Sequence, residues 1–189
     1  MKYIFLCLFV LHFGAMAGDQ PASAPHDDKL NGGIVYGKDH AFIIVAPDGW
    51  VLDNSSGVPR GLHAVLYKTG TTWAKADTVM YANTVHKEAS GEKVVGNVIK
   101  SDVKSFQASA SNQCVITDAP DLKTRSGQRV AVKQFFDASR HVYEAVAYID
   151  ESKIVVLLVL SAREEQAFTA ALPAFKRLVA SCRFLTSDV

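Results

Sequence analysis

The chain has 189 residues, of which 49% are hydrophobic and 21% charged, with 20 Lys and Arg against 19 Asp and Glu. That balance suits one globular domain with a core of ordinary size. A net charge of +1 leaves no basic excess to neutralise phosphates, so neither nucleic acid nor a polybasic membrane contact is expected.

Residues 1–17 have the pattern of a signal peptide. Lys2 supplies the positive start, Tyr3 to Phe13 is apolar apart from His12, and Ala15-Met16-Ala17 fits the small-x-small cleavage site. The apolar run is short of the ~20 residues that a spanning helix needs. The mature chain is therefore expected to begin near Gly18, in the periplasm or outside the cell, with no transmembrane anchor. Cys7 follows Leu6 inside the apolar stretch and leaves with the signal. Lys2 is the only charged residue before Asp19, so the mature chain carries 19 charges of each sign.

Residues 18–33, rich in Pro, Ala, Asp and Gly without periodicity, are expected to form a flexible leader to a single domain over 34–185. Ile34 to Tyr36 and Phe42 to Val45 are the first strands. Ala46-Pro47-Asp48-Gly49 fits a type I turn, and Trp50 folds back behind it. Asp53 to Gly61 is a surface loop, Leu62 to Lys68 a strand, and Thr69 to Ala76 a second loop. Thr78 to His86 is a strand with Val79, Tyr81 and Val85 on one side and Met80, Ala82 and Thr84 on the other. From Gly91 to about Phe106, Val95, Val98, Ile99, Val103 and Phe106 recur at helical spacing. Cys114 to Thr117 returns as a strand, Asp118 to Asp121 and Arg125 to Gln128 are turns, and Arg129 to Phe136 is a strand whose Phe135 and Phe136 face opposite ways.

The centre of the chain comes late. Val142 to Ile149 and Ile154 to Leu160 form a hairpin across Asp150-Glu151-Ser152. The run IVVLLVL is what a strand buried on both faces requires. Ser161-Ala162-Arg163-Glu164 fits a capping box. Beyond it Phe168, Leu172, Phe175, Leu178, Val179 and Cys182 recur at helical spacing, and Pro173 predicts a kink or a break. Hairpin-linked strands with two amphipathic helices predict an α+β fold. Its expected architecture is a three-layer α/β/α sandwich, with a mainly antiparallel sheet and helices on both faces.

Little in the sequence points to a reaction. There is no P-loop, G-x-G-x-x-G, G-x-S-x-G or H-E-x-x-H. His26, His40, His63, His86 and His141 show no metal spacing, so no catalytic residue, metal or cofactor is expected. Two cysteines, Cys114 and Cys182, remain after export. In an oxidising compartment they are expected to pair, closing a loop of about 70 residues worth on the order of 4 kcal/mol. Two separate buried thiols are the alternative. The candidate contact residues lie on the two loops: Asn54 and Arg60 on the first, Thr72, Trp73 and Lys75 on the second. Trp73 is either an exposed anchor or a core residue.

Three phrases carry a resemblance: Phe42 to Trp50 (FIIVAPDGW), Glu144 to Arg163 (EAVAYIDESKIVVLLVLSAR) and Pro173 to Phe184 (PAFKRLVASCRF). The chain resembles the PsbP-like α/β/α sandwich proteins over roughly residues 34–185. This group takes in the extrinsic photosystem II subunit, Ran-binding nuclear-import factors and bacterial DcrB-like envelope proteins. The motifs are structural and bring no catalytic residue. The resemblance implies a non-enzymatic module of the cell envelope that binds a protein partner, in assembly or as a chaperone. A toxin-immunity protein, and a small-ligand carrier or enzyme with an unrecognised site, are the alternatives.

Overall fold

The structure is a computed structural model that describes residues 32–37, 40–87 and 94–185. The expected signal peptide, with Cys7, and nearly all of the expected leader lie outside those residues. The last two leader residues, Gly32 and Gly33, belong to the first strand.

The fold is α+β, with antiparallel strand pairing throughout the described residues and two helices packed on the sheet. In chain order the elements are β1 (Gly32–Gly37), β2 (His40–Val45), β3 (Trp50–Asp53), β4 (Ala64–Lys68), β5 (Thr78–His86), α1 (Val95–Ser109), β6 (Val115–Lys123), β7 (Arg129–Asp137), β8 (Val142–Asp150), β9 (Ile154–Ala162), α2 (Glu165–Ser181) and β10 (Arg183–Phe184). Seven strands form the main sheet in the order β3-β4-β5-β9-β8-β7-β6, and β1-β2-β10 form a separate sheet of three.

β9 is the middle strand of the large sheet, and every residue from Ile154 to Leu160 is at most 2% exposed. Successive side chains of a strand point to opposite faces, and β9 divides them between two cores. Val156, Leu158 and Leu160 join Phe168, Phe175, Leu178 and Val179 of α2. Val155, Leu157 and Val159 join Val98 and Phe106 of α1. Phe135 and Phe136 divide the same way, as do the two sides of β5. The inner residues of the small sheet, Val35, Phe42 and Ile44, complete the α2 core.

Several local expectations are corrected. Trp50 is buried, as expected, and it also opens β3. The turn before it is closed by the Trp50 N–H on the Pro47 carbonyl at 3.0 Å, one residue later than expected, and Gly49 has φ +78°. That left-handed conformation explains why a glycine stands there. Asp118 to Asp121 is not a turn: β6 runs through it, with a register shift between Ala119 and Leu122 that accommodates Pro120. The capping box at Ser161 does not form, because β9 extends to Ala162 and Glu164 caps α2 without a side-chain bond. α2 continues through Pro173 as one helix. Pro173 and Thr169, the residue one turn back, are both exposed, so water can satisfy the carbonyl that proline leaves unbonded.

The expected Cys114–Cys182 disulfide is absent. Both cysteines are free thiols, and they belong to different cores. Cys182 is buried beside α2, whereas Cys114 packs against the core beneath α1. The sheet stands between them, which spacing along the chain does not reveal. Burial first, and then the nearby Glu151 carboxylate, push the Cys182 thiol up to about 12.

Beneath α1 lies a polar group that periodicity also missed. Asp102, on the inner face of the helix, accepts a hydrogen bond from the Tyr148 hydroxyl of β8. Glu144, two turns of the pleat earlier on β8, is buried as well. Burial raises its carboxyl; a Ser161 hydrogen bond opposes this, and Asp102 adds to it. The outcome is a carboxyl pushed up to about 7 from the ordinary 4.5. A raised carboxyl lets the folded state hold a proton that the unfolded chain has lost, so stability falls as pH rises from 4.5 to 7. Between pH 5 and pH 8 the loss from this one group is about 2–3 kcal/mol. Urea denaturation of wild type and Glu144→Gln at the two pH values checks this. The variant gains that amount on wild type at the higher pH; equal changes in both proteins would contradict the assignment.

Candidate functional site

The small sheet presents the clearest unexplained surface. Residues opposite one another on antiparallel strands share a face. The register pairs Ile34 with Ile43, Tyr36 with Ala41 and Gly32 with Val45. Leu185 follows β10 on the same side, its N–H on the Ala41 carbonyl at 3.0 Å. The opposite face, with Val35, Phe42 and Ile44, is buried. Seven large hydrophobic residues are exposed among those described, and Ile34, Tyr36, Val45 and Leu185 make four of them. The apolar exposure of the domain is thus concentrated on one face of three strands. β1 adds an edge: it pairs with β2 alone. Sequence alternation carried the signal, since GGIVYG and HAFIIV are apolar at both parities while only one parity enters the core.

Beneath that sheet three histidines meet. His40 opens β2, His63 directly precedes β4, and His86 closes β5. The His40 ring lies 5.6 Å from His63, edge to face, and 5.5 Å from His86. It also stacks on Phe42 at 6.2 Å. His63 Nε2 and the Thr84 hydroxyl are 2.9 Å apart. Gly37 permits the arrangement, because a Cβ there would lie 2.0 Å from Cε1 of His40. Burial lowers the His63 imidazole below its ordinary value, and the charges of His40 and His86 lower it further. The three residues come from three separate segments, and only the strand order shows that they meet. Among the described residues no group of three or more His, Cys, Asp or Glu side chains is arranged to hold a metal ion.

The two loops chosen from the sequence are not brought together. The first connects β3 to β4 and the second connects β4 to β5, so they lie at opposite ends of β4. Its five residues separate them by roughly 17 Å. Asn54, Arg60, Thr72 and Lys75 are exposed, while Trp73 is half-buried against the α1-side core. The first loop is organised by Asp53. Its carboxylate accepts from the Ser55 N–H at 2.7 Å, the Ser56 N–H at 3.0 Å, both serine hydroxyls at 2.7 and 2.5 Å, and the Tyr67 hydroxyl at 3.3 Å. Burial raises this carboxyl, but the Ser56 and Ser55 hydrogen bonds outweigh it and take it to about 2. It is a structural Asx turn.

A scan against protein-family models finds no match. A search of the curated proteins finds none either. Among solved structures, the chain is similar to cyanobacterial PsbP (CyanoP) from Synechocystis sp. PCC 6803, known from a solution structure. The TM-score is 0.53 at 11% sequence identity, over 87% of this chain and 98% of that one. At that identity the likeness shows a shared fold, in agreement with the PsbP-like architecture expected from the sequence phrases.

Because Trp73 is packed on a core yet partly open, Trp73→Ala is expected to cost about 1–3 kcal/mol of stability. Thr72→Ala and Lys75→Ala, at exposed neighbours, are expected to stay within about 0.5 kcal/mol. Thermal or urea unfolding of the three variants checks the order. A melting curve for Trp73→Ala that matches wild type would return Trp73 to the role of a surface anchor.

Proposed function

We propose that this chain is an exported, non-catalytic module of PsbP-like three-layer build, which binds another protein of the cell envelope through the outer face of its three-stranded sheet. The observation that carries the proposal is the concentration of Ile34, Tyr36, Val45 and Leu185 on that face. A contiguous exposed apolar patch on an otherwise well-packed domain marks an interaction surface. Its tyrosine is 68% exposed, an amphipathic side chain of the kind enriched at binding hot spots. The partner is expected to present an apolar strip that covers the patch. Support for export comes from the pattern of residues 1–17. Support for a binding role comes from the resemblance of the sequence phrases, with which the shared fold is consistent.

A photo-crosslinking residue placed at Tyr36 or at Val45 in the full chain, expressed in its own cells, tests this. Both positions are expected to capture the same envelope protein, and the same residue at exposed Lys104 on α1 is expected to capture none of it. For that partner, Tyr36→Asp is expected to weaken binding at least tenfold with the melting transition unchanged. Capture from Lys104 or Trp73 in place of Tyr36 and Val45 would overturn the assignment of the surface. Turnover of a small substrate by the purified protein would overturn the non-catalytic reading.

A further inference from the structure

We infer that α1 is a proton-gated layer, seated firmly on the sheet in mild acid and loosened from it when Glu144 gives up its proton. The two helices cover the sheet in different ways. The six residues that α2 buries are all Phe, Ala, Leu or Val, and they meet an apolar face that includes Val156, Leu158 and Leu160. α1 buries three residues, Val98, Asp102 and Phe106. It rests chiefly on β8, whose side chains towards it are Glu144, Val146 and Tyr148. Two carboxyls and a phenol thus stand where the other layer has only hydrocarbon.

Glu144 sits under the C-terminal half of α1. Phe135 of β7 stands directly opposite it on one side and Ser161 of β9 on the other. The Phe106 ring meets Phe135 at 5.1 Å. Glu144 is 4% exposed, and the Ser161 hydroxyl is its one side-chain hydrogen-bond partner among the described residues. The charged groups nearby are engaged elsewhere or are themselves acids. Asp102 of α1 accepts from Tyr148. On β7, Lys133 is on the same side but pairs with Asp118 at 2.7 Å. Asp137 is held by Ser111 and Ser139, and Arg140 donates to the Ser109 carbonyl. Beyond β9, Arg163 lies 3.9 Å from Asp77. Lys100 and Lys104 of α1 are exposed. Glu88, Glu92 and Lys93 lie outside the described residues; they precede Val95 in the chain, whereas Glu144 lies by Phe106, towards the other end of the helix.

Burial sets the direction. A carboxylate at this place has one hydroxyl in exchange for its hydration, and Asp102 adds repulsion. The folded chain therefore keeps the proton up to about 7, against the ordinary 4.5. The stability that this contributes is complete below 4.5 and is lost as pH rises through about 7. Once ionised, the group needs water. Ladders to β7 and β9 hold its backbone on both sides. α1 has no ladder to the sheet, so it is the layer that gives way. This response stands apart from the function proposed above.

The test uses the whole mature chain and needs no partner. Native-state amide exchange in low denaturant is read for Val98 and Phe106 of α1 and for β9, at pH 5 and pH 8, and corrected for intrinsic rates. α1 is expected to open separately from β9, at lower free energy and with less dependence on denaturant. Its opening constant is expected to rise about thirtyfold or more from pH 5 to pH 8. In Glu144→Gln the rise is expected to be about threefold or less. The Glu144 carboxyl, followed by carbon NMR, is expected to titrate near neutrality. Exchange of α1 together with β9 at one free energy would overturn the inference. So would no rise, the same rise in Glu144→Gln, or titration of the Glu144 carboxyl at its ordinary value of 4.5. Glu144→Met, also uncharged, takes the place of Glu144→Gln should that variant fail to fold, with the same expectation.

Discussion

Burial of β9 on both faces is the constraint on which the rest depends. A strand whose seven central residues are all apolar cannot stand at an edge or face water on one side. It needs a neighbour on each side for its backbone and a cover on each face for its side chains. β5 and β8 satisfy the first requirement, and α1 and α2 the second. Once those four are in place, the remaining strands extend the sheet outward, and the small sheet fills the part of the α2-side core that the helix leaves open. Polar groups then tie elements together at a few points. Asp102 and Tyr148 bond to each other under α1. Asp137 holds the segment after that helix through Ser111, whose N–H and hydroxyl it accepts at 2.6 and 2.7 Å.

Most of this architecture was legible because it is written in periodicity. The run IVVLLVL, the alternation in β5 and the helical spacings at Val95–Phe106 and Phe168–Cys182 each state a burial pattern without reference to the rest of the chain. What escaped were facts that depend on two distant segments at once. Ser161 and Glu164 have capping-box chemistry, but the β9–β8 and β9–β5 ladders hold Ser161 in the strand. Tertiary pairing outweighs a local cap. The disulfide failed for a related reason. Two cysteines left after an expected export are a compositional argument for a bond, yet they fall in cores separated by a sheet. Nothing near Asp102 in the sequence points to Tyr148, 46 residues away.

The site was less legible than the fold for the same physical reason. Loops with aromatic and charged residues are where contacts are ordinarily sought, and Trp73 drew attention on that ground. In three dimensions the loops of Asn54 and Trp73 sit at opposite ends of β4, and the apolar surface lies instead on strands near the beginning of the chain. Its residues alternate with core residues, so their exposure appears only when β1, β2 and β10 are seen as a sheet with one covered face. Likewise His40, His63 and His86 are unremarkable singly, each at a strand end, and become a cluster through strand order. A consequence is a division of labour within the domain. The large sheet and two helices supply rigidity, while the small sheet carries the exposed apolar face.

Native-state hydrogen exchange at neutral pH separates the two parts of the domain. Amides of β8 and β9 are expected to exchange only through global unfolding. Those of β1 and β2 are expected to exchange through a separate, smaller opening, lower by about 2 kcal/mol or more and less sensitive to denaturant. Exchange of β1 and β2 at the same free energy and with the same denaturant dependence as β9 would show that the small sheet is part of one indivisible core, and would contradict the account.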